Sequence, residues 1–172
     1  MFDWQKGGLR SSGWTLIARE YLINNIIMAN EVGRVWQYED DGRRVVAYTF
    51  RPLYEQTDKM GVVYYANYLL FFEAGRVEYM RYSGMSYRKL EDSYKLAMPV
   101  IEAYCRYESP ALYDDLLEIH TTMEKVGRTK IKFNYRIVRD DKLLAEGYTI
   151  HPVVDANGRV VKIPEVIEDL IS

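Results

Sequence analysis

Four successive segments between residues 101 and 154 alternate apolar and polar side chains with a period of two. Ile101, Ala103, Cys105 and Tyr107 alternate with Glu102, Tyr104, Arg106 and Glu108. Leu117, Ile119, Thr121 and Met123 alternate with Glu118, His120, Thr122 and Glu124, and Ile131, Phe133, Tyr135 and Ile137 with Lys130, Lys132, Asn134 and Arg136. Successive side chains of a strand point to opposite faces, so this pattern demands a sheet with one wet face, the signature of antiparallel pairing. Gly127 and Asp140-Asp141 punctuate the run as turns. The last segment places Ala145, Gly147 and Thr149 on one face, and small residues there admit a bulky neighbour.

Upstream, Val46, Tyr48, Phe50 and Tyr54 mark a further strand, and Asp41-Gly42 before it predicts a hairpin turn from Val35-Trp36-Gln37-Tyr38. Residues 66–82 have helical character, a short helix is expected near residues 86–94, and Pro164 opens a terminal helix over 163–171. Strands, one long helix, then four strands, with no repeat and no Gly/Pro/Ser-rich linker, make an α+β domain with the helix laid on an antiparallel sheet. One helix covers such a sheet only in part, which predicts self-association, most simply as a twofold dimer.

At 172 residues the chain has room for one domain of ordinary size. Residues 1–27 read as an N-terminal extension, helical or disordered, since Trp14, Ile17, Tyr21 and Met28 form an apolar stripe and the sequence from Met28 would serve as a start; residues 28–172 hold the domain. Arg19, Glu20, Asn24 and Asn25 interrupt the apolar part of the extension, so neither a transmembrane helix nor a signal peptide is expected, and a cytoplasmic place follows. A net charge of -2, without any basic run, gives no electrostatic case for nucleic-acid binding. One cysteine and two histidines argue against a disulfide and a Cys- or His-rich metal site, and no cofactor is expected.

The stretch from Tyr54 to Arg76 (YEQTDKMGVVYYANYLLFFEAGR) carries the chemistry. Asp58 lies in the loop before the long helix, Gly61 lets that loop turn sharply, and the helix begins near Tyr65 or Ala66 with free N–H groups pointing back at the loop. An aspartate there serves either as a cap, worth about 0.5–2 kcal/mol, or as a reacting group; its position alone leaves both open.

The motif TDKMGVVYYANYLLFFEAGR resembles that of the 4-hydroxybenzoyl-CoA thioesterase family, which includes the Tol-Pal-associated acyl-CoA thioesterases. The similarity continues through YESPALYDDLLEIHT, LLAEGYTIHPVVD and VKIPE, covering roughly residues 45–168 in the same order. It implies a hotdog fold, an antiparallel sheet wrapped around a long central helix, and hydrolysis of an acyl-CoA or aryl-CoA thioester by a homodimer or a tetramer built as a dimer of dimers. By the same resemblance Asp58 is the nucleophile or general base, and the backbone N–H of Tyr65 polarises the thioester carbonyl. Gly61, Val63, Tyr64 and Tyr68 are candidates to line the substrate pocket, the tyrosines equally readable as core or dimer contacts; Arg128, where family members often place a CoA-contacting basic residue, and Lys130 either meet the CoA phosphates or form an ordinary solvated face. Tyr65 stands where many relatives carry His, and Gln56 where many carry an acid. General-base assistance contributes about 10²–10⁴-fold. A single oxyanion donor adds about 10²–10³-fold.

Glu73, on the helix, is the runner-up base, against an ion pair with Arg76 or a strand residue. Asp114-Asp115 reads as a turn, Cys105 as core packing and His151 as a structural histidine, whereas His120 reads as merely exposed. Lys132 follows Lys130 on its face. A non-catalytic hotdog module that binds acyl-CoA is the main alternative; a hotdog hydratase would need an Asp/His pair that is not evident.

Overall fold

The computed structural model describes residues 32–171, so the extension expected at residues 1–27 lies outside the described residues. Strands β1 (Val35–Asp40) and β2 (Arg43–Phe50) form the expected hairpin. Asp41 and Gly42 both hold positive φ, 49° and 70°, the two left-handed residues a tight hairpin turn requires. Pro52 ends the strand run, and Tyr54, expected to continue it, lies instead in a 3₁₀ turn, Tyr54–Gln56. Helix α1 (Asn67–Tyr82) follows, with Ala66 as its N-cap. Helix α2 (Tyr87–Tyr94) is capped by Ser86, whose hydroxyl accepts from the Lys89 N–H.

Short β3 (Leu96–Ala97) then leads to β4 (Glu102–Tyr107), β5 (Leu117–Val126), β6 (Lys130–Arg139) and β7 (Lys142–Pro152). β8 (Val154–Asp155) pairs with β3, and α3 (Glu165–Glu168), shorter than expected, closes the chain. The main sheet has six antiparallel strands in the order β1-β2-β5-β6-β7-β4.

Its inner face packs on α1. Phe72 stacks on Tyr135 at 4.4 Å and 8°, Tyr79 meets Phe133 edge-on at 6.0 Å, and all four rings are essentially fully buried. Two glycines bring helix and sheet together. A Cβ on Gly75 of α1 would lie 2.7 Å from Thr121 Oγ1 and 2.8 Å from Ile119 Cδ1. A Cβ on Gly147 of β7 would sit 2.7 Å from the Phe72 ring, so Phe72 is the bulky group that the small residues of β7 admit. Each fully buried aromatic contributes on the order of 1.5–3 kcal/mol of burial free energy. The result is the hotdog arrangement, a sheet curled around one helix.

β4 departs from the one-wet-face expectation. Of its six residues only Cys105 is even half-buried; the others are exposed on both faces. The reason is position: among the described residues β4 pairs only with β7, at the edge of the sheet, and α1 reaches it where Tyr68 meets Tyr107. His120 departs as well. It is half-buried, hydrogen-bonded by Tyr38 at 2.6 Å and Glu118 at 2.9 Å, because β1 brings Tyr38 across β2 to it.

His151 is fully buried, and its neighbours fix its tautomer. Nδ1–H donates to the Met98 carbonyl at 3.0 Å, so Nε2 accepts from Thr149 Oγ1 at 2.8 Å, and that hydroxyl accepts from Tyr135 at 2.7 Å. Burial pushes the His151 pKa down to about 4, outweighing the Met98 hydrogen bond, while the nearby Arg76 cation pushes the same way. The folded pKa lies below the unfolded value of about 6.5, so the unfolded chain binds the extra proton between these values. Stability from neutral His151 is full above pH 6.5 and is lost as pH falls toward 4. Urea unfolding is expected to show a loss on the order of 3 kcal/mol from this group across that window. His151→Asn should flatten the dependence; an equally steep one in the variant would assign it elsewhere.

Candidate active site

The loop from Pro52 to Ala66 is held by its own backbone. Thr57 bridges Val63, the Asp58 N–H donates to the Val62 carbonyl at 2.9 Å, and the Gly61 N–H donates to the Asp58 carbonyl at 2.9 Å. Gly61 has φ +81°, which closes this turn and disfavours a side chain there. Val63 is buried, and its N–H donates to the Ala111 carbonyl at 2.8 Å, tying the loop to the entrance of β5.

Asp58 stands half-buried at the turn, with Oδ1 accepting from the Met60 N–H at 2.8 Å. That contact caps the loop rather than the helix. Tyr64 and Tyr65 follow, rings 4.5 Å apart; the Tyr64 pKa is raised first by its hydrogen bond to Tyr65 and last by the charge of Asp58.

Gln56 organises the approach to the helix. Its side-chain Oε1 accepts from the Leu53 N–H at 2.8 Å. Its carbonyl accepts from the Tyr64 N–H at 2.9 Å and from Asn67 Nδ2 at 2.7 Å. Among the described residues, the N–H groups of Tyr65 and Ala66 have no hydrogen-bond partner. They are the free donors of a helix start, where the helix dipole favours negative charge.

Beside them lies a mainly apolar cleft of about 280 Å³, lined among others by Val63, Tyr65, Tyr68 and Tyr107. Tyr68 is buried, and its hydroxyl oxygen accepts from the Ala111 N–H at 3.2 Å; burial raises its pKa. Tyr107, which sequence patterning had assigned only to a strand, sends its hydroxyl to the Tyr65 carbonyl at 3.0 Å. Its place in the alternating apolar set with Ile101, Ala103 and Cys105 was the available signal.

Asp58, Gly61, Val63, Tyr64, Tyr65 and Tyr68 thus come together in one region. Arg128 and Lys130 do not join them within one chain. Both are exposed at the β5–β6 turn, whereas the Asp58 loop sits by the opposite end of β5, where Phe50 pairs with Leu117. A ten-residue strand separates the two ends, a span of about 30 Å. Lys132, on the same face, pairs with Glu124 at 3.5 Å and lies 4.6 Å from the centre of the Tyr148 ring.

Glu73 is exposed on α1, and among the described residues it makes no ion pair; Arg76 instead lies 5.7 Å from the centre of the Tyr87 ring. Asp114 and Asp115 shape a turn. Asp114 has φ +64°, and Asp115 accepts from the Leu112 N–H at 2.7 Å and pairs with Arg139. Cys105 is half-buried, and burial raises its thiol pKa. Among the described residues, no three His, Cys, Asp or Glu side chains gather closely enough to hold a metal ion.

Known proteins are similar to this chain in sequence and in fold. A protein of Aquifex aeolicus is 37% identical over 124 residues, 72% of this chain and 95% of its own length. The acyl-CoA thioester hydrolase YbgC of Escherichia coli O6:H1 is 37% identical over 106 residues, 61% of this chain and 78% of the relative. The crystal structure of a hypothetical protein from Aquifex aeolicus superposes with a TM-score of 0.70 at 33% identity, covering 73% of this chain and 98% of that one. A 4-hydroxybenzoyl-CoA thioesterase variant solved with 4-hydroxybenzoyl-CoA superposes with a TM-score of 0.69 at 20% identity, over 74% of this chain and 99% of that one, a likeness of fold. Residues 52–171 match the thioesterase-like superfamily, which takes in the Asp58 loop, the long helix and every later strand: the chain belongs to that superfamily, with its hotdog fold.

Proposed function

We propose that the chain hydrolyses an acyl-CoA or aryl-CoA thioester to the free acid and CoA. The observation that carries this reading is the free N–H pair at the start of α1, adjoining the apolar cleft and preceded by the loop that presents Asp58. The thioester carbonyl points at the Tyr65 N–H, which stabilises the oxyanion that forms when the carbonyl carbon is attacked. Asp58 attacks that carbon directly or removes a proton from the attacking water. The C–S bond then breaks and CoA leaves as the thiolate, which takes a proton from water; on the direct route a water then hydrolyses the acyl anhydride on Asp58, releasing the free acid and restoring the carboxylate. The acyl group lies along Val63, Tyr64 and Tyr68.

Arg128 and Lys130 fit the CoA phosphates only if a second copy brings its β5–β6 turn to this loop, so the reading includes a homo-oligomer. The β4 edge supports it: among the described residues its backbone is unpaired on one side, and Val100, Ile101, Tyr104 and Tyr107 are exposed. The free Cys105 thiol suits a reducing cytoplasm.

A panel of short-chain, long-chain and aryl CoA esters, followed by thiol release, tests the reaction. Steady release of CoA from at least one ester is expected. Tight binding of esters with no release from any of them would favour the non-catalytic acyl-CoA-binding module instead.

A further inference from the structure

We propose that Tyr107 is a positioning residue that fixes the second of two carbonyl-polarising donors, the N–H of Ala66, which acts beside that of Tyr65; this rests on the thioester reading above. The two peptides at the start of α1 are each held by their carbonyl. The Tyr64 carbonyl accepts the Asn67 N–H at 2.9 Å. The Tyr65 carbonyl receives only a long contact from the Tyr68 N–H, 3.4 Å, and its short partner is the Tyr107 hydroxyl at 3.0 Å. A trans peptide is planar, with its N–H opposite its C=O. Anchoring the Tyr64 carbonyl therefore orients the Tyr65 N–H, and anchoring the Tyr65 carbonyl orients the Ala66 N–H. A peptide whose carbonyl accepts a hydrogen bond also becomes a stronger N–H donor.

The clamp comes from outside the helix. Tyr107 lies on β4, 42 residues further along the chain, so the geometry of the helix start depends on the sheet edge. Its ring stands edge-on to Tyr68 at 5.0 Å and 79°, and both rings line the cleft. Partial burial, with the neighbouring Cys105, holds the phenol well above its ordinary pKa, so it keeps its proton and remains a donor.

The test uses benzoyl-CoA with a ¹³C-labelled carbonyl, bound to the full chain carrying Asp58→Asn so that the ester is not consumed. Its infrared carbonyl stretch should fall below the value in water, and adding Tyr107→Phe should reverse part of that fall. With Asp58 intact, Tyr107→Phe should lower kcat about twofold to tenfold, the worth of one neutral hydrogen bond. KM should stay within about twofold, since ground-state binding is little changed. An equal carbonyl shift with and without the Tyr107 hydroxyl would overturn the positioning role, whatever happened to kcat. No shift even with Tyr107 in place would overturn the polarisation reading itself.

Discussion

Gly147→Ala is expected to lower the melting temperature by about 10 °C and to loosen the edge strand. The added Cβ would stand 2.1 Å from the Tyr104 carbonyl oxygen and 2.7 and 2.9 Å from two carbons of the Phe72 ring. Neither neighbour is a flexible side-chain end. One is the backbone of β4; the other is a fully buried ring stacked on Tyr135. Overpacking a tight core costs about 1–3 kcal/mol, and a site that must move both a strand and a stacked ring belongs at the upper end. For a domain of this size each kcal/mol shifts the midpoint by about 2–4 °C. Because Cys105 pairs with Gly147 and Tyr107 with Ala145, displacement of β4 also disturbs the Tyr107 hydroxyl. A thermal scan showing the variant within about 2 °C of the parent would mean that β4 yields without cost.

The alternating runs read correctly as strands: buried positions follow the period-two pattern through most of β5 and β6, whereas β7 keeps it only from Thr149 to His151. The same alternation in β4 misled. Periodicity reports which side chains share a face, not whether anything covers that face, and β4 lies at the sheet edge. Tyr54 failed for a local reason, since Pro52 cannot donate to a ladder. His120 looked solvated because its neighbours in sequence are polar; its partner Tyr38 is 82 residues away and reaches it only through sheet order.

At the site, the loop and helix start were legible because their residues are consecutive. Two features were not. Gln56 read as a missing acid, yet its backbone carbonyl anchors Tyr64 and Asn67, and a carbonyl's partners leave no trace in residue identity. The clamp from Tyr107 joins β4 to the helix, a contact that only the tertiary fold creates. Arg128 and Lys130 show the converse: the resemblance groups them with Asp58, and strand length parts them within one chain.

Asp58→Asn should reduce kcat by about 10²–10⁴-fold while leaving affinity for the CoA ester nearly unchanged. The amide is isosteric, and its oxygen can still accept from the Met60 N–H, so the turn through Gly61 survives. The negative charge does not. An amide neither attacks a thioester carbonyl at a useful rate nor takes a proton from water near pH 7. The donors at Tyr65 and the cleft remain, which is why binding should persist and why some residual rate should exceed that in water.

The decisive measurement pairs thiol release with calorimetric binding, using the CoA ester that the wild-type chain turns over best. The expected result is a loss in kcat of at least about a hundredfold for Asp58→Asn with a Kd within about twofold of the wild-type value. Release of CoA by Asp58→Asn at the wild-type rate would contradict the assignment of Asp58 as the reacting group.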